Sequence, residues 1–218
     1  MKPTEILTDR LSADVVPLLS EQYGFRFARS SRAFSRKKGP FKQSFHFSIS
    51  RHSASNLCIF WTMWSVSSRT FSQWHEATWG EKPANDSVAG CADWNISGWT
   101  PSAGEDHLTL TNADSDNAVI AELLGNIEKR GIPFLDRFSS WERAAEQLVS
   151  KNWMYDRAAD FYLIADNLPS AKATLLKGIQ TFEVDGRKDQ FRQLPRLKKR
   201  LGKLSTIWPS TASKDEQA

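Results

Sequence analysis

Near the start of the chain, Ile6, Leu7, Leu11, Val15, Leu18 and Leu19 recur at helical spacing, which predicts a helix over residues 4–22. Thr4 is placed to cap it, Gly24 to end it, and Pro17 to kink or split it. From Gly24 the period becomes two. Phe25 and Phe27 alternate with Arg26 and Ala28, and Phe34 follows a serine-rich turn. Phe45, Phe47 and Ile49 alternate with Ser44, His46, Ser48 and Ser50, the pattern of a strand buried on one face. In the next run both sets are apolar: Leu57, Ile59, Trp61 and Met63 on one side, Cys58, Phe60, Trp64 and Val66 on the other. That pattern predicts a central strand covered on each side.

Residues 67–90 are polar, with Trp74 and Trp79 among Gly80, Pro83, Asn85 and Gly90, and read as a long loop or a broken helix. Trp94–Ile96 and His107–Thr111 read as two more short strands. Helical periodicity then returns. Val119, Ile120, Leu123, Leu124 and Ile127 predict a helix stopped by Gly131 and Pro133. Ser139 and Glu142 suit a capping box for a helix through Leu148. Residues 154–166 and 170–181 form a predicted helical hairpin, and a last basic helix over about 187–203 is interrupted at Pro195. The expected architecture is α+β: an N-terminal helix, an antiparallel sheet of about four to six strands packed by helices, and a C-terminal helical hairpin. The expected division is an α+β domain over 1–150, a helical extension over 151–205 and a disordered tail over 206–218.

Composition adds limits. No apolar stretch reaches the roughly 20 residues that cross a bilayer, so no membrane partner is expected. The N-terminus has no secretory pattern, and two cysteines do not make a disulfide framework, so the expected compartment is the cytoplasm. The net charge of +4 is uneven: +6 over residues 1–51, −7 over 52–125, −1 over 126–185 and +6 over 186–218.

Site chemistry is sparse. The four histidines have no zinc-binding spacing, and Asn112, Asp114 and Asp116 start a calcium-loop pattern that Asn117 and Leu123 break. There is no nucleophile elbow and no phosphate-binding glycine loop, and Cys58 lies in apolar company. No catalytic residue, metal or cofactor is therefore assigned.

Two binding surfaces are expected. One is an acidic, tryptophan-bearing stretch of Trp74, Glu76, Trp79, Glu81, Asp86 and Asp93, suited to a basic protein partner. The other is basic and suited to nucleic acid: Arg26, Arg29, Arg36 and Lys38, with Arg32, Lys37 and Lys42, interleaved with Phe25, Phe27, Phe34 and Phe41, and Lys198, Lys199 and Arg200 on the last helix. A third expectation is an enzyme of unassigned class with its site in a tryptophan-lined pocket.

The order of Gly24-Phe25, Phe34 before basic residues, Phe45-His46-Phe47, the tryptophan-rich strand, then Ile132-Pro133-Phe134-Leu135-Asp136 and Ser139-Ser140-Trp141 resembles an uncharacterised bacterial domain family over about residues 5–150. Some of its relatives look like immunity proteins of toxin systems. The resemblance implies a non-enzymatic protein-binding role, an inhibitor of a bacterial toxin, and carries over no functional residue.

Overall fold

The computed structural model describes residues 1–100, 107–113, 115–150, 154–185 and 190–207. The fold is α+β, and the chain divides into two compact units: Met1–Ser72 with Pro83–Ser139, and Gln73–Lys82 with the described residues of Ser140–Ala218. The boundary expected near residue 150 falls within the second unit, which also takes in Gln73–Lys82. Most of the expected tail lies outside the described residues; Thr206 and Ile207 are helical.

In the first unit, α1 (Pro3–Arg10) passes through a π turn at Leu11–Val15 into α2 (Val16–Tyr23). Glu5, rather than Thr4, caps α1, its carboxylate accepting the Lys2 amide at 2.8 Å. The π turn ends two residues before Pro17, whose ring would crowd the carbonyl one turn back in a regular helix. Gly24 ends α2 with φ 68°, a left-handed conformation that glycine adopts without strain.

Six antiparallel strands follow in the order β1 (Arg26–Ala28), β2 (Ala33–Lys38), β3 (Phe41–Ile49), β4 (Cys58–Ser67) and β5 (Ser87–Ala92), with β6 (Leu108–Leu110) pairing the start of β4. Between β4 and β5 lies α3 (Arg69–Trp79), so the stretch 67–90, expected as a long loop or a broken helix, holds an unbroken helix, a short connection and the start of a strand. Trp94–Ile96 is not a strand; Asp93–Asn95 form a 3-10 turn.

The aromatic residues align across the sheet. Phe34 pairs with Phe45 and Phe45 with Trp64, with rings stacked at 5.1 Å and 4.2 Å. Phe41, Phe47, Phe60 and Val66 lie on the same face, and all are buried. Ile6, Leu7, Leu11, Val15 and Leu19 of the N-terminal helices are buried too, as are Ile120 and Leu123 of α4 (Asp116–Asn126). A second π turn, Ile127–Gly131, leads into α5 (Ile132–Asp136) and again ends two residues before a proline, Pro133. The expected stop at Gly131 is therefore a change of helical pitch. Gly131 is there for packing: a Cβ at this position would overlap the Trp64 ring.

β4 is not covered on each side. Its burial alternates strictly, and Ile59, Trp61, Met63, Ser65 and Ser67 are only half-buried. The apolar character of that second face is surface character within this unit. By register, the same face carries Arg26, Ser35, Lys37, Lys42, Ser44 and His46.

The second unit holds α6 (Trp141–Ser150), α7 (Tyr155–Ile164), α8 (Leu168–Asp185) and α9 (Gln190–Ile207). Ser140 caps α6, accepting the Arg143 amide at 3.3 Å, where Ser139 was expected. Tyr155, Ala159, Leu163, Ala171, Leu175, Phe182, Leu197 and Leu204 form its core. Helix α9 continues through Pro195.

The Trp64–Gly131 contact makes a direct prediction. Gly131→Ala costs about 1–3 kcal/mol of stability, seen as a lower denaturant midpoint at unchanged slope. Gly125→Ala, within α4 and with no atom within 4 Å of its added Cβ, gains about 0.5–1 kcal/mol. Equal effects at the two sites would contradict the packing role of Gly131.

Candidate functional site

A tight turn at Gly39-Pro40 joins β2 to β3 and sets Lys37 directly opposite Lys42. Like charges facing each other across a ladder repel and destabilise the pair. Both lysines are exposed, and no described residue supplies either with a carboxylate. They line a cavity of about 680 Å³ together with Arg26 of β1 and Arg69 at the start of α3. The hydroxyls of Ser35, Ser67 and Thr70 also face it, and Asp86 is the acid at its wall.

The cavity opens at the N-terminus of α3. Ser68 begins that helix: its Oγ accepts the Phe71 amide at 3.3 Å and donates to the Pro40 carbonyl at 3.0 Å. The first-turn amides of a helix have no intrahelical acceptor, and the helix dipole places partial positive charge there. Four cations, hydroxyl donors and a helix N-terminus thus converge on one space. Groups of this kind are chemically suited to anions, phosphate oxygens among them.

Other expected cations are engaged elsewhere. Arg36 lines the same cavity, but its guanidinium bonds Asp136, the Gln43 side chain and the Tyr23 carbonyl and lies over the Phe25 ring. Lys38 shares Asp136 at 2.8 Å. Arg29 pairs with Asp9 at 2.9 Å. In the second unit Lys198 pairs with Glu183 at 2.8 Å and Lys199 with Glu81 at 3.3 Å. Of the cations named from sequence, Arg26 therefore belongs to the cavity, with Lys37, Lys42 and the unforeseen Arg69. A two-residue turn between Lys37-Lys38 and Phe41-Lys42 is the signal that could have placed the two lysines face to face.

The residues of the acidic stretch are divided between the two units. Trp74, Glu76, Trp79 and Glu81 belong to the second unit, and Asp86 and Asp93 to the first. Trp74 and Trp79 pack against the helical core with ring centroids 6.3 Å apart. Asp93 is 5% exposed, accepting the Thr62 amide at 2.6 Å, the Thr62 hydroxyl at 2.9 Å and the Trp94 amide at 2.8 Å. Glu76 and Asp86 are exposed. The cavity lining contains no tryptophan.

No protein-family model, curated protein or solved structure matches this chain. Among the described residues, no His, Cys, Asp and Glu cluster is placed to hold a metal ion, and no helix is long and apolar enough to cross a membrane. Burial pushes the Cys58 thiol up to about 11, far from reactivity at neutral pH.

Titratable groups also gather in the second unit, around Asp160, which is 1% exposed. Arg200 bridges Asp160 and Asp156, each at 2.8 Å, and the Trp79 Nε1–H donates to Asp160 at 3.1 Å. A guanidinium can only donate, so the His75 Nε2 that lies 3.1 Å from Arg200 is an acceptor. The His75 Nδ1–H then donates to the Glu81 carbonyl at 2.7 Å, which fixes a neutral tautomer. Burial, reinforced by Arg200, lowers the imidazole pKa, in accord with that state.

Burial raises the Asp160 carboxyl to about 7, against the opposing pull of Arg200. The folded chain thus binds this proton more tightly than the unfolded chain. Its stabilising share is complete below about 4 and is lost as the pH rises through about 7. The His75 share runs the other way, complete above about 6.5 and lost as the pH falls. Asp160→Asn removes only the first. The stability of wild type relative to Asp160→Asn, from denaturant titrations, should therefore decrease between about pH 4 and pH 8. A relative stability that stays level between about pH 5 and pH 8 would mean that Asp160 is ionised throughout. At neutral pH, Arg200→Met leaves Asp160 protonated and removes the bridge to Asp156 and Asp160, destabilising this unit by about 1–3 kcal/mol.

Proposed function

We propose that this chain is a non-enzymatic nucleic-acid-binding protein that holds backbone phosphate in the cationic cavity of its first unit. The observation that supports this most is the opposed pair Lys37 and Lys42, with Arg26 and Arg69 beside them and no described carboxylate bound to any of the four. A like-charge pair costs stability in the free protein, and a bound polyanion converts that cost into affinity by releasing its counterions.

The immunity-type reading asks for an acidic face toward a basic toxin. Of the six residues it names, Asp93 is buried, Glu81 is paired with Lys199, and the two indoles pack on the helical core. Glu76 and Asp86 remain, in separate units. An enzyme with a tryptophan-lined site has no counterpart in this cavity, whose polar lining is mostly cations and hydroxyls with the one acid Asp86.

The test is the salt dependence of binding to an oligonucleotide. Lys37→Gln and Lys42→Gln should each reduce the slope of log K against log salt by about 0.7 for a single strand. Lys198→Gln, whose lysine is paired with Glu183, should leave it unchanged. A slope insensitive to Lys37 and Lys42 but flattened by changes on α9 would refute the cavity as the site.

A further inference from the structure

The cavity occupies one end of the exposed sheet face, and an aromatic group occupies the other. Trp61 of β4 lies 6.2 Å from Trp94 and 5.0 Å from His107 between ring centroids, and Trp94 lies 5.6 Å from His107. All three rings are half-buried, and none belongs to the stacked aromatic row on the opposite face. Buried Asp93 sets their backbones together, because its carboxylate accepts the amide of Trp94 and the amide of Thr62, the residue after Trp61.

We infer that Trp61, Trp94 and His107 form a stacking platform for unpaired bases of a single-stranded nucleic acid whose phosphates run to Lys42, Lys37 and Arg26. The inference rests on the nucleic-acid reading above and gives it a strand type.

Three features support it. The register places Trp61, Met63, Ser65 and Ser67 on one face of β4, with Ser67 opposite Lys42 and Lys42 opposite Lys37. Six residues of strand separate Trp61 from Ser67, about 20 Å, a span suited to a short run of nucleotides. Second, next to the row of Ala33, His46 and Met63 the floor toward the lysines is small, made by Ser35, Ser44, Ser65 and Gly90, with the Ser44 and Ser65 hydroxyls bonded to each other at 2.8 Å. Such a floor lets a flat ligand lie close. Third, no residue of β1 to β6 that shares this face carries a carboxylate. A basic protein partner would meet a single acid here, Asp86 at the cavity wall, against the four cations Arg26, Lys37, Lys42 and Arg69 that a polyanion would meet. Aromatic faces stack any base, and a base is free to stack only when unpaired.

The experiment compares binding of the full chain to a short oligothymidylate, to an abasic strand of the same length and to a duplex. Wild type should bind oligothymidylate more tightly than either of the others, with quenching of tryptophan fluorescence. Trp61→Ala should weaken oligothymidylate binding about 5- to 150-fold, leave abasic binding unchanged and leave the salt slope intact. If Trp61→Ala lacks a cooperative unfolding transition, Trp61→Phe and Met63→Glu take its place. The first should retain most of the affinity, and the second should lose it by placing a carboxylate on the path. Equal binding of abasic strand and oligothymidylate, preference for the duplex, or an unaffected Trp61→Ala would overturn the platform while a steep salt slope still supported the phosphate site. No binding to any of the three would overturn both.

Discussion

Trp64 is the residue on which the first unit depends. Its indole is 1% exposed and stacks on Phe45, which stacks in turn on Phe34, so one aromatic row ties three strands together. Its Nε1–H donates to the Thr62 hydroxyl at 2.8 Å, and that hydroxyl donates to buried Asp93, so the row buries no unmet donor at this point. On its far side the ring presses on Gly131, where no side chain would fit. The helical layer can approach the sheet this closely because one of its residues is glycine. Phe60 and Trp64 are thereby committed to one face of β4, and the sheet is built with an inside and an outside.

That asymmetry leaves the outer face of β4 half-buried. The charges on the protein divide accordingly. Arg36 points into the inner layer and is held by Asp136 and Gln43, whereas Lys37, its neighbour in sequence, points outward to face Lys42. One residue along a strand separates a cation paired within the fold from one proposed to meet phosphate, because successive side chains take opposite faces. The same logic distinguishes Trp64, a core residue, from Trp61, three positions earlier and on the outer face. In the second unit three basic residues of α9 are engaged within the fold: Arg200 bridges Asp156 and Asp160, and Lys198 and Lys199 are paired with acids.

Much of the fold was legible because its patterns are simple. The alternation of Phe45, Phe47 and Ile49 with serine and histidine marks a one-sided strand, and the spacing of Ile6 to Leu19 marks a helix. β4 was harder to read, because Ile59, Trp61 and Met63 are apolar yet only half-buried, and hydropathy cannot distinguish a covered face from a binding face. Helix α3 carries Phe71, Trp74, His75 and Thr78 at helical spacing, but His75 and Thr78 dilute the apolar stripe, and the helix runs straight into Gly80 and Pro83. The site was less legible than the fold. Sequence supplied a basic cluster, but which cations are neutralised depends on Asp136, about a hundred residues further along the chain. Arg69 joins the cavity only because α3 begins beside the β2–β3 turn.

The most direct test of this account is photocrosslinking of a uniformly labelled single-stranded oligonucleotide to the intact chain, with the adducts located by mass spectrometry. The account predicts adducts on the outer face of the sheet, at Trp61, Trp94 or His107 and around Lys37 and Lys42. Adducts confined to α9, or no adduct under conditions that saturate binding, would contradict it.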